Sequence, residues 1–221
     1  MKMRFLWWTL LLCLAVAANA CFAADNPLRA AGEAFDQGLY DKGIGILAPV
    51  AEREPQNYGV LELLAVGYHW KKDYPHALKY YDLAEKARGT LSSSKIALLY
   101  EVGRYDDVIR DSADAARKGN LQDVAVMGAL ISSYMAKNRP EDAAEFIAIL
   151  RGRNYQTQYD QDYRTYILAY YALWRGDADT CRDLLRRISS GNLREYARND
   201  PRFEPLWNDP AFSEIVKRTN P

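Results

Sequence analysis

The chain has 221 residues, 49% of them hydrophobic and 26% charged, with 29 basic and 29 acidic side chains and three cysteines. A chain of this length and apolar content can fill a sizeable core. Balanced charge without a basic stripe argues against a nucleic-acid partner or charge-driven membrane attachment, and so few cysteines give no disulfide framework.

The amino-terminal residues 1–23 read as a targeting segment. Lys2 and Arg4 make a positive start, Phe5 to Ala17 is an uncharged apolar run, and the small residues Ala17-Ala18-Asn19-Ala20 follow, the layout of a secretory signal peptide. The apolar run is shorter than the ~20 residues a spanning helix needs. Two cleavage positions fit a small-x-small rule, after Ala20 and after Ala23. The first makes Cys21 the new terminus and resembles a bacterial lipoprotein, although Ala18 stands where that motif has leucine. The expected address is periplasmic or secreted, or the outer membrane if Cys21 is lipidated. Without the leader the chain carries 27 basic against 29 acidic groups. Cys13 leaves with it, and Cys181 reads as a packed free thiol.

Residues 24–190 repeat themselves. Tyr40, Gly43, Leu47 and Val50 are echoed 34 residues on by Tyr74, Ala77, Tyr81 and Ala84. Leu61, Leu64, Ala65 and Tyr68 fall on one face of a helix, Lys71-Lys72-Asp73 is a polar turn, and Ala77, Leu78, Tyr81 and Ala84 form the stripe of a second helix. The small residue at 77 allows close helix approach. A fixed period of this length signals stacked helical hairpins. Further units are carried by Leu99, Gly103, Tyr105 and Val108, by Leu130, Tyr134, Pro140 and Ala143, and by Leu168, Ala169, Gly176, Cys181 and Leu185. Polar residues from Gly152 to Thr157 lengthen one connection.

This pattern resembles the tetratricopeptide repeat family over most of the chain. The resemblance implies an all-α, right-handed α-solenoid of about five hairpins. It departs from the family at Gly43, where alanine is usual, and at Val108 and Ser112. The family lines a concave groove with the first helix of each unit, which implies partner-binding positions at Tyr163, Tyr166, Tyr170 and Trp174 in the fifth unit, with Thr165, Leu168, Ala169 and Ala172 on the core side. The four rings step by three, four and four residues along one helical stripe. They either face a partner or pack on a neighbouring helix or on the tail. Weaker groove positions are Glu62, His69 and Trp70 with Val66, Tyr100 with Glu101, and Phe35 with Asp36; Gly128, Ser132 and Met135 leave a nearly bare floor.

Residues 191–221 differ. Asn199-Asp200-Pro201-Arg202-Phe203 and Asn208-Asp209-Pro210-Ala211-Phe212 lie nine residues apart. Asp followed by Pro starts a helix, so the segment reads as two short turns that turn their phenylalanines inward and cap the stack.

Catalytic and metal-binding signatures are sparse. His69 and His76 do not have the spacing of a zinc helix. The acidic pairs Asp106-Asp107 and Glu141-Asp142, with Glu145 a turn later, suit helix amino termini. No catalytic residue, metal or cofactor is expected. The leading expectation is a non-enzymatic scaffold or assembly factor of the bacterial cell envelope that binds a protein or peptide. The alternative is a glycan-binding module, or an enzyme acting on glycans, that uses the Tyr/Trp stripe; self-association is a third course.

Overall fold

The computed structural model describes residues 26–217. The expected leader, with its two candidate cleavage positions and Cys21, and residues 218–221, lie outside the described residues. Among those described the chain is 77% helical and has no strand, with twelve α-helices and one 3-10 helix. None of these helices is long and apolar enough to cross a membrane. By contact density the chain divides into two compact units between Lys95 and Ile96.

The first unit holds α1 (Pro27–Asp36), α2 (Tyr40–Arg53), α3 (Tyr58–Trp70) and α4 (Tyr74–Arg88), and the division falls within α5 (Ser93–Glu101). Helix starts are set by short polar side chains. Asn26 accepts from the Leu28 N–H at 3.0 Å, Asn57 from Val60 at 3.3 Å and Asp73 from His76 at 3.4 Å, each satisfying an amide that the helix cannot. Helix α1 packs on α2 and α3, α2 on α3, and α3 on α4. The buried face is built from Ala31, Phe35, Leu47, Val50, Leu61, Leu64 and Ala84.

The second unit continues with α6 (Tyr105–Arg117), α7 (Val124–Ala136), α8 (Pro140–Gly152), α9 (Gln158–Trp174) and α10 (Ala178–Arg187), then α11 (Gly191–Asn199), a 3-10 helix η1 (Pro201–Leu206) and α12 (Pro210–Ile215). Packing again runs to the next helix and the next but one: α6 on α7 and α8, α7 on α8 and α9, α9 on α10 and α11. Helix α7 is apolar nearly all round, and ten of its thirteen residues are buried, as a helix with neighbours on every side requires.

One turn recurs. Gly38, Lys72, Gly103, Asn138 and Gly176 all adopt positive φ, between 52° and 84°. At each, the residue itself donates its N–H three residues back, to Phe35, His69, Tyr100, Met135 and Leu173, and the following residue donates five back, to Ala34, Tyr68, Leu99, Tyr134 and Ala172. This left-handed closure satisfies the last carbonyls of one helix and reverses the chain into the next. Each following helix starts two residues later, at Tyr40, Tyr74, Tyr105, Pro140 and Ala178. Glycine adopts the conformation without penalty; Lys72 and Asn138 do not.

The Asp-Pro segments of the tail act as helix starts. Asp200 accepts from the Arg202 N–H at 3.0 Å, and Asp209 accepts from Ala211 at 2.8 Å. Phe203 and Phe212 are 0% and 1% exposed, in one cluster with Tyr166, Cys181, Leu185 and Leu206. The tail is further fixed at its start, because the buried Asp162 of α9 accepts the Ser189 and Ser190 N–H groups at 3.1 and 2.8 Å.

Candidate functional site

The aromatic stripe of α9 meets the chain's own tail. Tyr166 is fully buried; its hydroxyl donates to Asp200 at 2.5 Å and its ring lies 5.3 Å from that of Phe203. Asp200, 4% exposed, also accepts from the Arg202 side chain, from Nε at 2.9 Å and Nη2 at 2.6 Å. Arg202 is thereby turned inward. Its guanidinium lies 4.9 Å from the Tyr170 ring centroid and 5.6 Å from that of Tyr166, and Nη1 donates to Ser132 of α7 at 3.3 Å. Tyr163 stacks on Tyr166 at 6.0 Å. Tyr100 lies beside Tyr105, ring centroids 5.6 Å apart, and near Tyr163, Tyr170 and Arg202.

The electrostatics of this cluster are those of a closed pair. Burial alone would push the Asp200 carboxyl upward, but the Arg202 guanidinium and the Tyr166 hydroxyl hold it below the usual carboxylate range. Burial pushes the Tyr170 phenol up to about 12, and burial plus the bond to Asp200 pushes Tyr166 higher still. Tyr163, Tyr166 and Tyr170 are therefore neutral ring surfaces around one cation, and none of the three is poised to lose a proton near neutrality.

This corrects the reading of Tyr166 as a partner-facing position. The buried face of α9 is Asp162, Tyr166, Ile167, Ala169 and Ala172, while Thr165 and Leu168, assigned to the core, are half-buried. The cause is non-local: η1 lies over the side of α9 that the repeat pattern leaves open. Tyr163 and Tyr170 are half-buried around Arg202, and Trp174 is half-buried 6.0 Å from Tyr171. The bare floor of α7 is filled as well. A Cβ on Gly128 would stand 2.9 Å from Ile167 Cδ1, and Ser132 and Met135 are 2% and 3% exposed. Tyr100, Tyr163, Tyr166 and Tyr170 thus come together, around a guanidinium and a carboxylate of the tail. Arg202 and Asp162 were not singled out by the sequence; a charge two residues after a helix-starting Asp was the only local signal for Arg202, and Asp162 had none.

In the first unit the surface is open. Trp70 is 48% exposed and Leu39 44%. The indole rests edge-on against Phe35 at 6.1 Å and against Tyr40 at 6.4 Å. Phe35 can occupy that place only because of two glycines: a Cβ on Gly43 would meet its ring at 2.2 Å and one on Gly67 at 2.3 Å. The departure from the repeat pattern at Gly43 therefore has a cause, since alanine there would expel Phe35. Lys71 Nζ donates to Asp41 at 2.6 Å and ties the two hairpin tips together. Trp70 thus stands on a fixed support. His69 is half-buried with its ring 6.1 Å from Tyr74. Glu62 turns away to accept from Ser92 Oγ at 2.9 Å, in a network where Lys95 Nζ bonds Glu85 and Asp82, each at 2.8 Å.

His76 and most of the acidic groups noted in the sequence have structural partners. His76 Nδ1 lies 2.9 Å from Asp73, and its ring stacks on Tyr68 at 5.0 Å. Asp107 pairs with Arg104 and Arg110, Asp106 with Lys137, Asp142 with Arg139 and Glu145 with Arg117. Cys181 is fully buried, and burial pushes its thiol up to about 12. Among the described residues no group of three or more His, Cys, Asp or Glu side chains is placed to hold a metal ion. No protein-family model and no curated protein matches the chain.

Proposed function

We propose that the chain is a non-enzymatic, tetratricopeptide-type scaffold, exported to the bacterial cell envelope, that holds a protein or peptide segment during assembly there. The five recurring left-handed turns support the reading of about five helical hairpins. The observation that carries the binding role is Trp70: a large ring, half exposed and braced by Phe35 and Tyr40 beside exposed Leu39. A rigid Trp loses little freedom on binding and gives a large contact area with one polar handle, which is why Trp dominates interface energetics. Because Tyr166 is fully covered and Tyr163, Tyr170 and Trp174 are half-covered, the proposed docking surface moves to the first unit.

The same exposed indole supports the second reading, since a flat ring is a stacking platform for a sugar. Replacing Trp70 by Ala separates the two. On the protein-binding reading Trp70→Ala reduces capture of a specific envelope protein at least tenfold and leaves migration in polysaccharide-containing gels unchanged. Loss of polysaccharide retardation with protein capture intact would transfer the assignment to the glycan reading.

A further inference from the structure

The tail of the second unit contains a concavity that neither the Trp70 surface nor the Arg202 cluster uses. Its volume is about 430 Å³, and it is lined by Arg198, Trp207, Phe212, Ser213, Val216 and Lys217. That volume lies within the range of small-molecule sites. The lining is divided. Phe212 and Val216, 1% and 2% exposed, present the apolar side, with the indole of Trp207, 42% exposed, beside them. Arg198, Lys217 and the Ser213 hydroxyl, all on exposed residues, supply the polar side.

The charge on that polar side has one sign. Arg198 makes no ion pair with any described residue. Lys217 pairs with Glu214 only across open solvent, with both side chains about two-thirds exposed, a contact worth little and readily exchanged. None of the described lining residues is acidic. A guanidinium and an ammonium at one cleft, with a hydroxyl donor, no carboxylate in the described lining and only the exchangeable Glu214 partner beside Lys217, favour an anionic head group. The apolar side beyond it favours a body that gains by leaving water.

We infer that this concavity is a binding site for a small amphipathic carboxylate, its head held by Arg198 and Lys217 and its apolar body against Trp207, Phe212 and Val216. The site is independent of the proposed scaffold role.

The test uses the full chain and three ten-carbon probes below their micelle concentrations: decanoate, decanol and decyltrimethylammonium, titrated by calorimetry. Decanoate binds at least tenfold more tightly than either of the others, the scale of one charge-assisted contact. Arg198→Glu, a change on an exposed side chain, removes that preference. Ser213→Trp, which fills the concavity from an exposed position, abolishes binding, and both variants keep the wild-type circular dichroism spectrum. Equal affinity for decanoate and decyltrimethylammonium, unchanged decanoate binding in Arg198→Glu, or no heat with decanoate would overturn the assignment.

Discussion

Asp200 is 4% exposed, and its charge is tolerated in the second unit because Arg202 and Tyr166 face it. Removing one partner of such a pair leaves the other uncompensated, which costs about 3 kcal/mol or more. Arg202→Ala is therefore expected to lower the melting temperature by roughly 6–12 °C, and Asp200→Asn with Arg202→Met by much less than the single arginine change. The pair also sets an acid limit. The native Asp200 pKa is depressed, so its contribution is fully present above the unfolded carboxylate value near 3.9 and is lost as pH falls through the lower native value. Urea midpoints measured from pH 6 down to pH 2 should fall across that window in the wild type and fall less in Asp200→Asn. A flat wild-type profile would contradict the account. The Asp-Pro start at this position was legible in the sequence, because a cap depends on residues two and three away. Its second role was not, because Tyr166 lies 34 residues away and only the folded tail brings the two together.

At the scale of the element, the recurring turn explains what the sequence pattern could and could not reveal. The echo of Tyr40 in Tyr74 was visible because each residue opens a helix two positions after a left-handed closure. Where glycine occupies the closure, at 38, 103 and 176, the turn can be read directly. Lys72 hides it, and Asn138 signals it only weakly, since asparagine adopts positive φ more readily than other side-chain-bearing residues but far less often than glycine. Lysine there costs ~1 kcal/mol, so Lys72→Gly is predicted to stabilise the chain, with a rise of 2–4 °C in melting temperature; a fall would mean that the Lys72 side chain contributes more than its backbone costs. The face of α9 was the least legible element. Helical period places Tyr163, Tyr166 and Tyr170 on one stripe correctly, but period cannot say which neighbour covers a stripe. Here the cover is η1, a segment with no helical period of its own.

For the whole molecule, the balance of exposed and buried rings decides where the proposed scaffold would meet a partner. Phe203, Phe212 and Leu206 each bury a side chain worth about 1.5–3 kcal/mol, so lifting the tail from α9 would forfeit several kcal/mol. That makes the tail a fixed cover rather than a segment that a partner readily displaces. Trp70 requires no such displacement. Contact with the proposed envelope partner is thus expected to run through position 70 and not through position 166. The most direct test is in-cell photo-crosslinking with a photoreactive residue placed at each position in turn, with products identified by mass spectrometry. The expected result is a discrete adduct with one envelope protein from position 70, and from position 166 only internal links to the tail. An adduct with an envelope protein from 166, with none from 70, would contradict it.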